Sequence, residues 1–224
     1  MSEPVLASPL YSPRRPGCKF RLGLVGGMGS GKSEIARLFA EQGAVVVAGD
    51  PLGHEALRDP AIRQQIVARW GSGLLDDHGQ VDRRKLAAIV FADERERKYL
   101  ESLSLPYIKR RIAEELAKAE ADPQARLIVL DAAIMLEVGW DHECDAIVFV
   151  EAPRAVRLNR LAQQRGWTEA EVVRREAAQL PLTEKARRAD HVIDNGGALE
   201  QTRRQVVDLL QRLQHVSSEA RTTV

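Results

Sequence analysis

The chain has 224 residues, enough for one sizeable core or for one core carrying an inserted subdomain. A net charge of +1 excludes the global field of a nucleic-acid or membrane-surface binder, and 4% aromatics against 44% hydrophobic residues leaves aliphatics to fill the core. Cys18 and Cys144 are isolated, with neither a disulfide framework nor metal-ligand spacing, and no apolar run nears the roughly 20 residues of a membrane span. These features suit a cytoplasmic enzyme with no membrane or nucleic-acid partner.

In chain order, residues 1–19 hold four prolines and no apolar h-region, which reads as a flexible N-terminal extension. A single domain is expected over 20–214, followed by a frayed tail at 215–224. Five short apolar runs read as strands: Phe20–Val25, Ala44–Ala48, Arg126–Asp131, Asp145–Val150 and His191–Asp194. They are apolar throughout and do not alternate, as in strands buried on both faces of a parallel sheet. Helical spacing fills Lys32–Gln42, Val156–Arg165, Glu169–Gln179 and Leu199–Leu213. Residues 51–125 show helical spacing instead of strand signal, with Leu86, Ile89 and Val90, then Leu100 and Leu103, then Ile108, Ile112 and Leu116. The predicted fold class is therefore α/β. A P-loop NTPase-type parallel sheet of about five strands has helices on both faces, core segments 20–50 and 126–214, an inserted helical subdomain and a helical lid over 154–188.

Gly26–Ser33 reads GGMGSGKS and matches the phosphate-binding pattern G-x-x-x-x-G-K-[ST] between a strand and a helix. Glycines let backbone amides reach a β-phosphate at a helix N-terminus, where the partial charge already favours anions. Lys32 is placed to neutralise β- and γ-oxygens, and Ser33 to ligate Mg²⁺. The loop thus predicts ATP and Mg²⁺ binding by Gly27, Met28, Gly29, Ser30, Gly31, Lys32, Ser33 and the adjoining Glu34. No N-K-x-D segment follows for guanine, and the chain is short for a motor or transporter ATPase, which leaves a small kinase.

Asp50 lies just past the second strand, where open α/β sheets bind ligands. It suits a catalytic base or a holder of a Mg²⁺ water, or alternatively a helix cap ahead of Pro51. His54, one turn on, is either a substrate contact or a solvent-facing helix residue. Asp131 ends the third strand and is a candidate Mg²⁺-ordering carboxylate; it and Glu137 otherwise read as a cap or a surface charge. Arg154–Arg188 holds eight arginines and Lys185 against four glutamates, a composition suited to closing over a triphosphate.

Several segments in order resemble the dephospho-coenzyme A kinase family over about Phe20–Leu213: "GLVGGMGSGKS", "GAVVVAGD", "GQVDRRKLAAIVFAD", "YLESL", and the long run from Leu136 to Gly197. The most specific part contains Gln179, Glu184–Lys185, Ala189–Asp190 and "VIDN". The resemblance implies ATP-dependent phosphorylation of the ribose 3′-hydroxyl of dephospho-CoA, the last step of CoA synthesis. By position it makes Asp50 the base, Lys32 a catalytic nucleotide residue and Ser33 a Mg²⁺ residue. The insert becomes the acceptor subdomain and the arginine-rich segment around Arg157 to Arg175 the lid, within which Arg157, Arg160 and Arg175 are the candidate nucleotide contacts. Departures from the family pattern fall at Ala48, His54, Leu105 and Ala133, and at Glu34, which replaces a hydroxyl residue. Two other readings stay open on the residues: a P-loop kinase with another hydroxyl acceptor, and a nucleotide-binding protein without transfer. A monomer or weak homo-oligomer is expected.

Overall fold

The computed structural model describes residues 18–219. The N-terminal extension up to residue 17 and the tail from residue 220 lie outside the described residues. Five strands form one sheet: β1 (Arg21–Gly26), β2 (Ala44–Ala48), β3 (Leu127–Asp131), β4 (Ala146–Glu151) and β5 (His191–Asp194). Their order is β2-β3-β1-β4-β5, and every neighbouring pair is parallel. All five strands expected from the sequence form, with ends shifted by about a residue where hydrogen bonding stops.

Burial on both faces explains why these strands read as continuous apolar runs. Leu22, Leu24, Val129, Val148 and Val150 face a core completed by α1 (Lys32–Glu41) and α9 (Leu199–Glu219), through Ile35, Leu38, Phe39, Val206 and Leu209. Val25, Ile128, Leu130, Ile147 and Phe149 face the opposite core. That second core is filled by the insert: α2 (Gly49–Ala56), α3 (Pro60–Trp70), α4 (Arg83–Val90) and α5 (Glu94–Ala121). After β4 come α6 (Arg154–Arg165), α7 (Glu169–Glu176) and α8 (Leu182–Arg187).

Within the insert, aspartates set the helix starts. Asp59 accepts from the amides of Ala61 and Ile62 ahead of α3, Asp82 from Arg84 and Lys85 ahead of α4, and Asp93 from Arg95 ahead of α5. The run from Asp82 to Leu103 is therefore two helices, divided at the Asp93 cap. Conversely, the stretches ending at Leu103 and starting at Tyr107 fuse into the single 28-residue α5, with Pro106 inside it. Ile108, Ile112 and Leu116 share the buried face with half-buried Leu100 and Leu103 on the other side of the proline. That shared burial outweighs the one backbone bond a proline forfeits. Helix α9 runs past the Leu213 end that spacing suggested, to Glu219.

Candidate active site

The loop between β1 and α1 is held from outside. Gly29 and Gly31 have φ of +75° and +88°, values that L side chains rarely adopt, and a Cβ on Gly29 would lie 2.6 Å from the Arg157 carbonyl oxygen. Two arginines of α6 and one asparagine after β5 then take up the loop carbonyls. Arg157 Nη1 donates to Met28 O (3.2 Å), and Arg160 Nη1 to Ser30 O (3.2 Å). Asn195 Nδ2 donates to Ser30 O (2.8 Å), while Arg160 Nη2 reaches Asn195 O (2.8 Å). With the carbonyls engaged outward, the first amides of α1, which have no partner inside a helix, remain for an anion.

Two of the arginines expected in the lid are engaged by the loop and by Glu176. Arg157 is buried and paired with Glu176 at 2.6 Å, and Arg160 is spent on backbone. Both brace the loop from behind. Arg175 differs: its guanidinium lies between the rings of Phe91 and Trp167, at 4.4 and 4.1 Å from their centroids. Burial lowers its pKa from the ordinary value, which an arginine tolerates without losing its charge.

Inside the loop, Lys32 Nζ donates to the carbonyls of Gly26 (3.2 Å) and Gly27 (3.4 Å). Burial pushes its pKa down; the carboxylates of Asp131 and Asp50 oppose that shift, and Lys185 adds to it. Sheet register explains the convergence. Asp131 ends β3 opposite Ala48 of β2 and Leu24 of β1, so the loop and the start of α2 flank it. Burial raises the Asp131 pKa, and the Lys32 charge and a hydrogen bond from Ser33 act against the rise. A hydroxyl bonded to a carboxylate at the loop's end fits Mg²⁺, which keeps most of its ligands as water and phosphate oxygen. Among the described residues no three His, Cys, Asp or Glu gather as a metal cluster. Glu34, next along α1, is held by a two-point contact to Arg37.

Asp50 sits in the first turn of α2 and is exposed. The cap position belongs to Ala48, so the alternative of a helix cap does not describe it. Asp50 lines a chamber of about 230 Å³ with Gly53, His54, Ile108, Ala133 and Trp140. A second chamber of about 310 Å³, largely apolar, adjoins it through His54 and Ile134 and reaches Met28, Leu86, Phe91 and Arg175. His54 is exposed, and its Nε2 lies 2.6 Å from Arg83 Nη1. Partial burial and the Arg83 charge lower its pKa, so the neutral imidazole accepts this bond. Leu105, by contrast, is a half-buried packing residue of the insert.

One residue eluded reading from the residues themselves. Lys185 on α8 is 1% exposed and pairs with Glu137 at 2.8 Å. It also donates to Ala133 O and Gln179 Oε1, each at 3.2 Å, and Glu137 accepts from the Leu180 amide. Glu137 is neither cap nor surface charge; it ties the segment after α7 to the loop after β3. The signal lay in the resemblance, whose most specific run contains Gln179 and Lys185.

The sequence model of dephospho-CoA kinase matches residues 20–201. The chain belongs to the dephospho-CoA kinase family. It is 39% identical over 197 residues to the dephospho-CoA kinase of Shouchella clausii, covering 87% of this chain and 99% of that one. It is 41% identical over 194 residues to that of Syntrophotalea carbinolica, covering 86% and 91%. Among solved structures, TT1252 from Thermus thermophilus superposes with a TM-score of 0.72 at 32% identity, over 87% of this chain and 98% of that one. The dephospho-CoA kinase from Campylobacter jejuni shares the fold, with a TM-score of 0.64 at 21% identity over 86% and 96%. The chain is thus a P-loop kinase of this family, and no described helix is long and apolar enough to cross a membrane.

Proposed function

We propose that the protein transfers the γ-phosphoryl group of ATP to the ribose 3′-hydroxyl of dephospho-CoA, yielding CoA and ADP. The observation that carries this is the position of Asp50. It is an exposed carboxylate whose charge reaches Lys32 and Asp131 on one side, and it lines the wall of a chamber built by the insert on the other. Donor and acceptor halves meet there.

The α1 amides and Lys32 receive the β- and γ-phosphates, and Lys32 exchanges its carbonyl partners for phosphate oxygens. Ser33 and Asp131 are the residues that would hold Mg²⁺, and the ion would supply charge neutralisation to the triphosphate. Asp50 accepts the proton of the 3′-hydroxyl as that oxygen bonds to the γ-phosphorus, and ADP leaves in line. Such transfer rests on positioning and charge, for which a braced loop and a fixed carboxylate suffice. The α6–α7 hairpin acts as the lid, with Arg175 on its side toward the insert.

The test is product analysis with dephospho-CoA and with its 3′-deoxy analogue. Conversion of the first to a species of the mass of CoA, with none of the second, is the expected result. Equal turnover of the analogue would place the phosphoryl group elsewhere.

A further inference from the structure

Arginines in the α6–α8 region are largely consumed by carboxylates: Arg154 by Glu169 and Glu176, Arg157 by Glu176, Arg187 and Arg188 by Glu184. Arg84 of α4 and Arg165, Arg174 and Arg175 around the α6–α7 turn have no such ion pair among the described residues, and the fold collects them. All four line one cleft of about 760 Å³ between the insert and the α6–α7 hairpin, together with Lys85. Its single carboxylate, Glu171, is spent on the amide and hydroxyl of Thr168 in the box that caps α7. Glu171 still offsets part of the Arg174 and Arg175 charge, but four arginines and a lysine face this one carboxylate, so the cleft keeps a positive excess.

Aromatic rings fix the geometry. Arg165 lies over Trp167 at 4.9 Å, and Arg175 is sandwiched between Trp167 and Phe91. A guanidinium held by its faces keeps its N–H edge for a planar, two-point contact to phosphate. The cleft also runs on from the site. Ala87, Phe91 and Arg175 line both it and the 310 Å³ chamber, and His54 joins that chamber to the one beside Asp50. A hydroxyl at Asp50 is thus connected, through an apolar space, to a dianion-sized positive clamp.

We propose that this cleft binds the 5′-diphosphate of the acceptor, with Arg84 and Lys85 as one jaw and Arg165, Arg174 and Arg175 as the other. The proposal rests on the dephospho-CoA reading, since that acceptor carries a diphosphate on the same ribose whose 3′-hydroxyl reacts. The ribose lies at Asp50, the adenine in the apolar chamber, and the diphosphate spans α4 and the α6–α7 turn. Binding the acceptor then draws the lid onto the insert.

Arg84→Gln and Arg174→Gln test it. Both side chains are exposed, so an unchanged unfolding midpoint serves as the control. Each variant is expected to raise the KM and the directly titrated Kd for dephospho-CoA about tenfold, the cost of one charge-assisted hydrogen bond. The KM for ATP should stay within about twofold, and so should the Ki of adenosine, a competitor lacking the diphosphate. Unchanged dephospho-CoA affinity in the double variant would overturn the proposal, as would a rise in the ATP KM instead. If the wild-type chain bound dephospho-CoA through these arginines without phosphorylating it, the cleft would stand and the proposed reaction would fall. Absence of binding would remove both.

Discussion

Two aspartates beyond adjacent strand ends are given opposite surroundings, and their chemistry follows from that. Asp50 is exposed, outside the cap position, so its replacement leaves the helix it belongs to intact. Asp50→Asn should therefore lower kcat by about 10²–10⁴-fold, the range for a positioned general base, with the KM for ATP nearly unchanged. A kcat close to wild type in steady-state kinetics would remove Asp50 from the chemistry. Asp131 is half-buried, and its desolvation raises its pKa against the pull of Lys32 and Ser33. A folded-state pKa above the unfolded one means the native state holds this proton more tightly. Stability is then lost as pH rises from the ordinary carboxylate range through the raised folded value, and at neutral pH the charge is a net cost. Asp131→Asn is thus predicted to raise the unfolding midpoint at pH 7 while abolishing Mg²⁺-dependent turnover, a trade of stability for function. A lowered midpoint in thermal unfolding would show that Asp131 instead contributes stability through Lys32.

At the scale of elements, helices α6 and α8 support a site built mainly on other segments. Helix α6 holds the outer side of the phosphate loop through Arg157 and Arg160, and Arg154 and Arg157 pair it to α7 through Glu176. Helix α8 inserts Lys185 between Ala133 and Gln179, where it meets Glu137. Removing one member of a buried ion pair leaves the other uncompensated. Lys185→Met should accordingly cost about 3–5 kcal/mol in urea denaturation, and Lys185→Met with Glu137→Leu should recover much of it. A double variant as unstable as the single one would show that Lys185 matters through its bonds to Ala133 and Gln179 rather than through Glu137. Element by element, legibility followed how local the cause was. The loop, Asp50 and Asp131 were visible because glycine spacing and strand ends are written in contiguous residues. The division of the insert was not, because whether Pro106 ends a helix depends on burial of Leu100, Leu103, Ile108 and Ile112 against the same core. The arginines could be counted but not ranked: which of them brace carbonyls, pair with Glu176 or stack on Trp167 is decided by residues far apart in the chain.

Across the whole molecule, two cores on opposite sheet faces divide the work. The face bearing α1 and α9 fixes the phosphate loop's helix, while the face bearing the insert forms the chambers beside Asp50. The sequence departures at Ala48, His54 and Ala133 fall at that second face. Ala48 occupies the position before α2 without a side-chain cap, His54 accepts from Arg83, and Ala133 offers its carbonyl to Lys185, so each has a defined structural place. A chamber beside Asp50 next to a braced phosphate loop is what the fold presents. Whether loop and chamber act together is measured most directly by ADP release from Mg²⁺-ATP with and without dephospho-CoA. A slow basal rate should rise strongly and saturably with dephospho-CoA, with ADP and CoA formed in equal amounts. ATP bound normally with no acceptor-dependent release would contradict it.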